Sequence, residues 1–379
     1  MKNKIYSYCA KIVSIAFVLV FIQFLLLVDK KYLLANDKEF EYNLEFTTEP
    51  ENKFGGKFDL LNLLSLDLSI PTEKLGLWKN GNIDILSFAT YKLQKERIYD
   101  DLQGFSNIET DENTPFGFSL LGYTHSFDEK FSIFAGLRRI NVDYFDSDNT
   151  SFFTNSSIVA FPTAASNFYA PIDPFSAMCL HFEYQTTENL LLEISFYNGV
   201  AYFPYDDFKK NFTVAPKQDG VLTIGEINYS KNLLGIGNNA LYCLGACGLP
   251  FYEKNKNFSI WARLEQNIFN FNEREVQFFL FYSFGKIDEQ AEVIDNFLCA
   301  KNYYGTGFIV KNLFTKEDGL GAYYHFAEYR TNKEGALEIS YKYNVVSWLT
   351  LQPTIHIIKT ANEKTVGIGM VRATFSFSN

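Results

Sequence analysis

Seven residues could do chemistry on a passing solute: Arg138, Glu183, Glu193, Trp261, Arg263, Glu265 and Arg372. They combine guanidinium groups, carboxylates and one indole. Such a set offers charge of both signs, donors and acceptors for hydroxyl groups, and a flat apolar face. They share a parity rather than a catalytic spacing. In SIWARLEQN, Ile260, Ala262 and Leu264 oppose Trp261, Arg263, Glu265 and Asn267. In MCLHFEYQ and LLLEISFY, Glu183 and Glu193 again fall opposite Leu180, Phe182, Leu192 and Ile194. Period two is the signature of a strand, whose successive side chains point to opposite faces. Strands must therefore position the seven, and all seven lie on a polar face. Arg139 falls on the other parity from Arg138, so it belongs at a strand end or a register break.

The alternation recurs along most of the chain. Leu64, Leu66, Leu68 and Ile70 oppose Ser65, Asp67 and Ser69; Phe131, Ile133, Ala135 and Leu137 oppose Ser132, Phe134, Gly136 and Arg138. Near the C-terminus, Leu337, Ile339 and Tyr341 oppose Glu338, Ser340 and Lys342, and Val371, Ala373 and Phe375 oppose Arg372 and Thr374. A four-residue form also repeats, in Glu193–Phe196, Glu226–Tyr229 and Glu338–Tyr341: acid, Ile, small polar, aromatic. Rows of such acids facing arginines across a lumen would create a transverse field. Aromatic residues make up 17% of the 379, and the formal charge is −10. That composition is too aromatic for disorder and too acidic for non-specific nucleic-acid binding. Mean hydropathy, −0.10, is too low for a helical membrane protein.

Residues 1–35 read as a secretory signal peptide: Lys2, Lys4 and Lys11 precede the apolar run Ile12–Val28, with Ala35 before the cleavage point. The exported part then carries 29 basic and 43 acidic residues, a net −14. Export, long alternating strands, abundant Phe and Tyr, and a Phe-containing last strand together describe an all-β chain. The expected fold is a transmembrane antiparallel β-barrel, lipid outside and water inside. At about 21 residues per strand and connection, the chain builds roughly 16 strands, enough for an aqueous channel. Residues 36–54 read as a lead-in and 55–379 as the barrel domain.

The segment Leu337–Thr360, with Gly319–Ala336 before it, resembles the C-terminal signature of the carbohydrate-selective porin family typified by the glucose-inducible porin of pseudomonads. The resemblance extends to GNIDILSFATYKL and to GLRRINVDYFDSDNTSFFTNSSIV followed by APIDPF, and it covers most of residues 55–377. It implies a 16-stranded outer-membrane barrel that passes small sugars by diffusion, with no cofactor. The chain departs from the family pattern at Thr354, usually acidic, at His356, usually Gln, and in the ending Phe377-Ser378-Asn379. Pro353 of the same segment is expected at a strand end or a bulge, because proline cannot donate to a ladder.

The connection Asp146–Phe175 is greasy for a solvated loop, with Phe152, Phe153, Phe161, Phe168 and Tyr169. It is expected to fold into the barrel and present ring faces to sugars. Enzyme and metal signatures are missing: Cys243 and Cys247, four apart on a strand, are too far apart for a disulfide, and the four histidines are scattered. Expected partners are outer-membrane lipid and small sugars. A monomer and a homotrimer are both compatible with the sequence. Two other readings stay open: a porin for amino or organic acids, and a barrel for adhesion or lipid hydrolysis, the last needing a Ser–His pair at the rim.

Overall fold

The computed structural model describes residues 40–202, 208–250, 255–271, 273–288 and 298–379. The expected signal peptide, residues 1–35, lies outside them. Sixteen antiparallel strands close into one barrel. In chain order they are β1 (Glu41–Lys53), β2 (Phe58–Pro71), β3 (Gly81–Lys92), β4 (Gly117–Ser126), β5 (Phe131–Arg138), β6 (Ala177–Thr187), β7 (Leu190–Asn198) and β8 (Val221–Tyr229). They continue as β9 (Ala240–Gly248), β10 (Phe258–Phe271), β11 (Arg274–Lys286), β12 (Ala300–Lys311), β13 (Gly319–Tyr329), β14 (Lys333–Val346), β15 (Leu349–Thr360) and β16 (Val366–Ser378). Each strand pairs with its sequence neighbours, and β1 closes the ring against β16 with Leu44 opposite Phe377. No sheet edge is left unpaired, as a bilayer interior requires. The segment read as a lead-in thus supplies the closing strand from Glu41. Its second half, Thr47-Thr48-Glu49-Pro50-Glu51, has too few apolar residues for alternation to be visible.

The parity reading carries through to the walls. Leu180, Ile194, Ile260, Ile339, Ile355 and Ile357 are exposed on the outside, whereas His181, Ser195, Arg263, Glu338, Gln352 and His356 are buried inside. Burying apolar side chains in the barrel would be the ordinary soluble solution; here lipid takes them. Rings collect at both ends of the outer wall. Tyr282, Tyr304 and Phe326 form a chain of contacts near one end, and Trp348 stacks on Phe375 and Phe377 near the other. Amphipathic rings of this kind suit the two membrane–water interfaces.

Pro353 sits mid-strand, not at an end. It faces Val371 of β16 in unbroken register, and the β14 ladder is interrupted beside it, between Ser340–Thr354 and Tyr343–Leu351. The missing N–H is thus absorbed by a gap on one side of the strand only.

The strands are joined by shorter connections at the end where β1 begins and β16 ends. Long loops cluster at the other end, the usual polarity of such barrels. Two loops matter for the lumen: L2, residues 93–116, between β3 and β4, and L3, residues 139–176, between β5 and β6.

Candidate functional site: the loop-narrowed pore

L3 turns into the barrel and is fastened along the inner wall from β7 to β15. Tyr144 Oη meets Ser195 Oγ at 2.7 Å; Ser147 Oγ and Asn149 Nδ2 donate to the two oxygens of Glu265 at 2.9 and 2.8 Å. The backbone N–H groups of Thr154 and Asn155 donate to Glu338 at 2.8 and 3.1 Å, and Gln352 Nε2 donates to the Phe152 carbonyl at 2.8 Å. Further along, Asn167 makes a two-way amide pair with the Ala300 backbone, and Ser259 Oγ donates to Thr163 Oγ1 at 2.6 Å. These bonds satisfy polar groups of a loop that would otherwise be stranded inside a protein.

The rings of L3 do the rest. Phe145 packs on Trp261, Phe153 on Phe279 and Tyr323, and Phe161 on Phe281 and Tyr303. Burial of each such side chain stabilises by about 1.5–3 kcal/mol. The inward fold is therefore as expected, but the rings are not presented to the channel: Phe152, Phe153, Phe161 and Phe168 are buried against the wall. An inward loop must bury its own apolar face somewhere, and the wall outcompetes the watery lumen for it. Phe145 is held with a φ of 67°, a left-handed backbone that costs a bulky residue about 1–3 kcal/mol.

L2 adds a second layer. Leu102 N and Gln103 N donate to Glu334 on β14, and Tyr329 Oη donates to the Leu102 carbonyl at 2.7 Å. L2 and L3 are stitched together by Asn107 N to the Thr154 carbonyl and Ser156 N to the Gly104 carbonyl, both 2.7 Å.

What remains open is a cavity of about 440 Å³ between the two loops and the β1–β4 wall. Glu45, Ser65, Phe88 and Ser119 line it from the wall, Asn107, Glu109 and Thr110 from L2, and Arg139, Asn141, Phe145, Asp146 and Asp173 from L3. Arg139 follows β5 directly, as its parity requires. It donates to Asp173, and to Ser119 Oγ at 3.3 Å; Asn141 Nδ2 donates to Asp173 at 3.1 Å. Burial raises the Asp146 carboxyl above its ordinary value, with Arg263 opposing the shift. Burial likewise pushes Glu109 up to about 7, against the pull of Arg97 and Lys92.

The seven residues picked out by parity stand on the walls around this cavity, not among the residues lining it. Arg138 clamps Asp143 of L3, with Nε at 2.6 Å from Oδ2. Trp261 Nε1 donates to Glu226 Oε1 at 2.7 Å, and Arg263 lies between Glu226, at 3.5 Å, and Glu265, at 3.7 Å. Arg372 Nε donates to Glu49 at 2.5 Å and its Nη2 to Asn107 of L2 at 2.8 Å. Glu193 accepts from Asn228 at 2.9 Å, and Glu183 remains half-buried. Parity brings together Trp261, Arg263 and Glu265 under L3, while Arg372 stands apart beneath L2. Missed from the sequence were the loop residues of the cavity, above all Arg139 and Asp173; only the odd parity of Arg139 marked either.

Two rows of charge face one another. Glu183 opposes Glu193, and Glu193 opposes Glu226, across β6, β7 and β8. Halfway round the ring, Lys311 and Lys342 both oppose Gly319, and Arg372 opposes Gln352, across β12 to β16. Thr354 and His356, where the chain departs from the family pattern, touch L3 and its anchors rather than the cavity: Thr354 meets Ser340 at 2.7 Å and His356 meets Thr154 at 3.0 Å.

A Ser–His pair does exist. His181 Nδ1 lies 2.8 Å from Ser195 Oγ and 3.7 Å from Asp143. Both side chains are buried beneath Tyr144, so no substrate reaches the hydroxyl from the cavity. Asp143, His181 and Glu193 also place ligand atoms within 4.8 Å of one another, but Arg138 already neutralises Asp143. The cysteines at 179, 243, 247 and 299 are buried, and none forms a disulfide among the described residues. They serve as small wall residues under L3.

Neither a family model nor a curated relative matches this chain. Solved structures do. The high-pH structure of OprB from Pseudomonas putida superposes with a TM-score of 0.73 at 14% identity, covering 90% of this chain and 95% of that one. Its low-pH structure gives 0.61 at 15% identity, covering 90% and 93%. OpdK from Pseudomonas aeruginosa, solved with vanillate, gives 0.54 at 9% identity, covering 90% and 99%. The fold is that of the outer-membrane porins. A porin fold with an apolar outer belt and two aromatic girdles belongs in an outer membrane. No helix among the described residues is long and apolar enough to cross a bilayer.

Proposed function

We propose that the chain is a carbohydrate-selective porin, through which small sugars diffuse passively. The observation that carries this is the chemistry of the cavity wall. Ser65, Ser119, Asn107, Thr110 and Asn141 stand beside the bound pair of Arg139 with Asp173 and three further acids, Glu45, Glu109 and Asp146. A sugar presents many hydroxyls, each both donor and acceptor, and no net charge. It is matched by closely spaced donors and acceptors, carboxylate oxygens among them. The seven wall residues act in this reading by holding L2 and L3 and by setting the acidic and basic rows that orient polar solutes. The resemblance at Leu337–Thr360 supports the same substrate class.

A second reading, a porin for small organic acids, has its own observation. Arg139 reaches the cavity, and the Lys311–Lys342–Arg372 wall is basic. The OpdK structure, solved with vanillate, has the same fold. Ion current through single barrels in a planar bilayer separates the two. Neutral glucose or maltose added to one side reduces the current saturably if sugars occupy the pore. Reduction by vanillate or another small carboxylate alone would favour the second reading and count against the first.

A further inference from the structure

The connection between β8 and β9, residues 230–239, lies at the end where β1 begins, and it is longer than the turns 188–189 and 347–348 of that end. It reads SKNLLGIGNN, with Lys231 its one charged residue. The loop does not project freely; it folds back over the outer wall. Gln266 on β10 follows the lumen-facing Glu265 and therefore points outward, yet it is only 1% exposed. Its Nε2 donates to the Ile236 carbonyl at 2.5 Å and to the Asn239 carbonyl at 3.3 Å. Tyr242, on β9 opposite Leu264, donates to Gln266 Oε1 at 3.1 Å and accepts from Leu233 N at 3.3 Å. Asn232 closes the loop on itself. Its Nδ2 donates to the Ile236 and Gly237 carbonyls at 2.9 and 3.0 Å, and its Oδ1 accepts from Gly235 N at 3.0 Å. Gly235 and Gly237, with φ of 65° and 61°, supply the left-handed backbone this reversal needs.

The loop is inside out for a turn in water. Its carbonyls at 236, 237 and 239 bond within the protein, whereas Leu233, Leu234 and Ile236 are 63%, 55% and 48% exposed. Water would solvate the carbonyls and drive the aliphatic side chains under cover. A medium that offers no hydrogen bonds favours the arrangement seen. The apolar tip is also continuous with surface that faces lipid. Leu244 on β9 and the stacked rings of Phe269 and Phe271 on β10 stand exposed on the same outer wall. Lys231, at the start of the loop, has the reach to carry its ammonium to a phosphate headgroup.

We propose that loop 230–239 is a membrane anchor: it inserts Leu233, Leu234 and Ile236 among the acyl chains of the periplasmic leaflet and so fixes how deep that side of the barrel sits.

Spin labelling of the full-length chain, refolded into phospholipid bilayers, tests this. A nitroxide is attached at Leu234→Cys. Leu280→Cys, on the exposed outer face of β11, is the lipid reference, and Glu129→Cys, in the turn between β4 and β5, is the water reference. The native cysteines at 179, 243, 247 and 299 are buried, and the unsubstituted barrel, labelled in the same way, gives the background. At Leu234→Cys, relaxation by oxygen should exceed relaxation by a water-soluble nickel chelate several-fold, as at Leu280→Cys, with the reverse at Glu129→Cys. Access to the nickel chelate matching that at Glu129→Cys overturns the proposal. Shielding from both reagents overturns it too, because a second copy or another protein would then cover the loop. Folding is read from heat-modifiable gel mobility, and Ile236→Cys repeats the measurement should Leu234→Cys not fold.

Discussion

The indole nitrogen of Trp261 on β10 donates to Glu226 on β8 by passing over Gly245, the residue of β9 that lies between them in the register. A Cβ built on Gly245 would stand 2.1 Å from the indole Cε2, so only glycine admits this crossing. The same indole supports Phe145, the L3 residue with the left-handed backbone. Gly245→Ala should therefore lift Trp261, break its bond to Glu226 and loosen the L3 turn at Phe145. Over-packing of this kind costs about 1–3 kcal/mol. A lower temperature for conversion from the folded to the unfolded gel band is the expected outcome. An unchanged transition would mean that the indole relaxes freely.

Glu338 is the central anchor of L3. Its carboxylate accepts from Thr154 N, Asn155 N, Thr154 Oγ1 and Ser340 Oγ, all between 2.7 and 3.1 Å. Glu338→Ala leaves several buried donors without an acceptor, at about 1–3 kcal/mol for each group left unmade. The loop should spend time off the wall, giving larger and noisier single-channel conductance. Ser340→Ala, which removes only one of the donors, should have a much smaller effect.

How much of this was legible beforehand follows from what parity can carry. Alternation assigns each strand residue to lipid or lumen, and it placed Ile339 outside and Glu338 inside without help. It says nothing of depth or of what else lies inside, so Trp261, Arg263 and Glu265 read as channel residues although L3 covers them. Of the Glu183–Glu193–Glu226 row, Glu193 and Glu226 carry the repeated acid-Ile pattern and Glu183 does not, and only strand register aligns the three. Phe152 and Phe153 announced an inward loop. Which way their rings turn depends on partners more than a hundred positions away, Phe279 and Tyr323 among them, and no local pattern encodes that.

Glu109 gives a pH dependence. Its carboxyl is raised from 4.5 to about 7 in the folded protein, first by burial, then by Asp59 and Asp111, with Arg97 and Lys92 opposing. A raised carboxyl means the folded state holds its proton longer than the unfolded one. Stability from this group therefore falls as pH rises from about 4.5 to about 7 and is constant outside that window. The temperature at which the folded gel band converts to the unfolded one should fall across that window. Glu109→Gln should flatten the profile.

Arg139 and Asp173 set the charge of the cavity. Reversing the guanidinium by Arg139→Glu places two carboxylates together beside Ser119 and Asn141. The zero-current potential in a salt gradient should shift towards cation selectivity, and any block of current by small carboxylates should fall. Lys57→Glu, on the exposed rim, serves as the control and should shift the potential far less, because its charge is screened.

The central claim, a pore whose wall suits neutral polyhydroxylated solutes, is tested most directly by swelling of liposomes that carry the refolded full-length barrel. A series of sugars and amino acids matched in size should separate, with glucose-sized sugars entering faster than the amino acids and larger oligosaccharides entering progressively slower. Equal entry of sugars and amino acids of the same size would contradict sugar selectivity, and no swelling with any solute would contradict a pore.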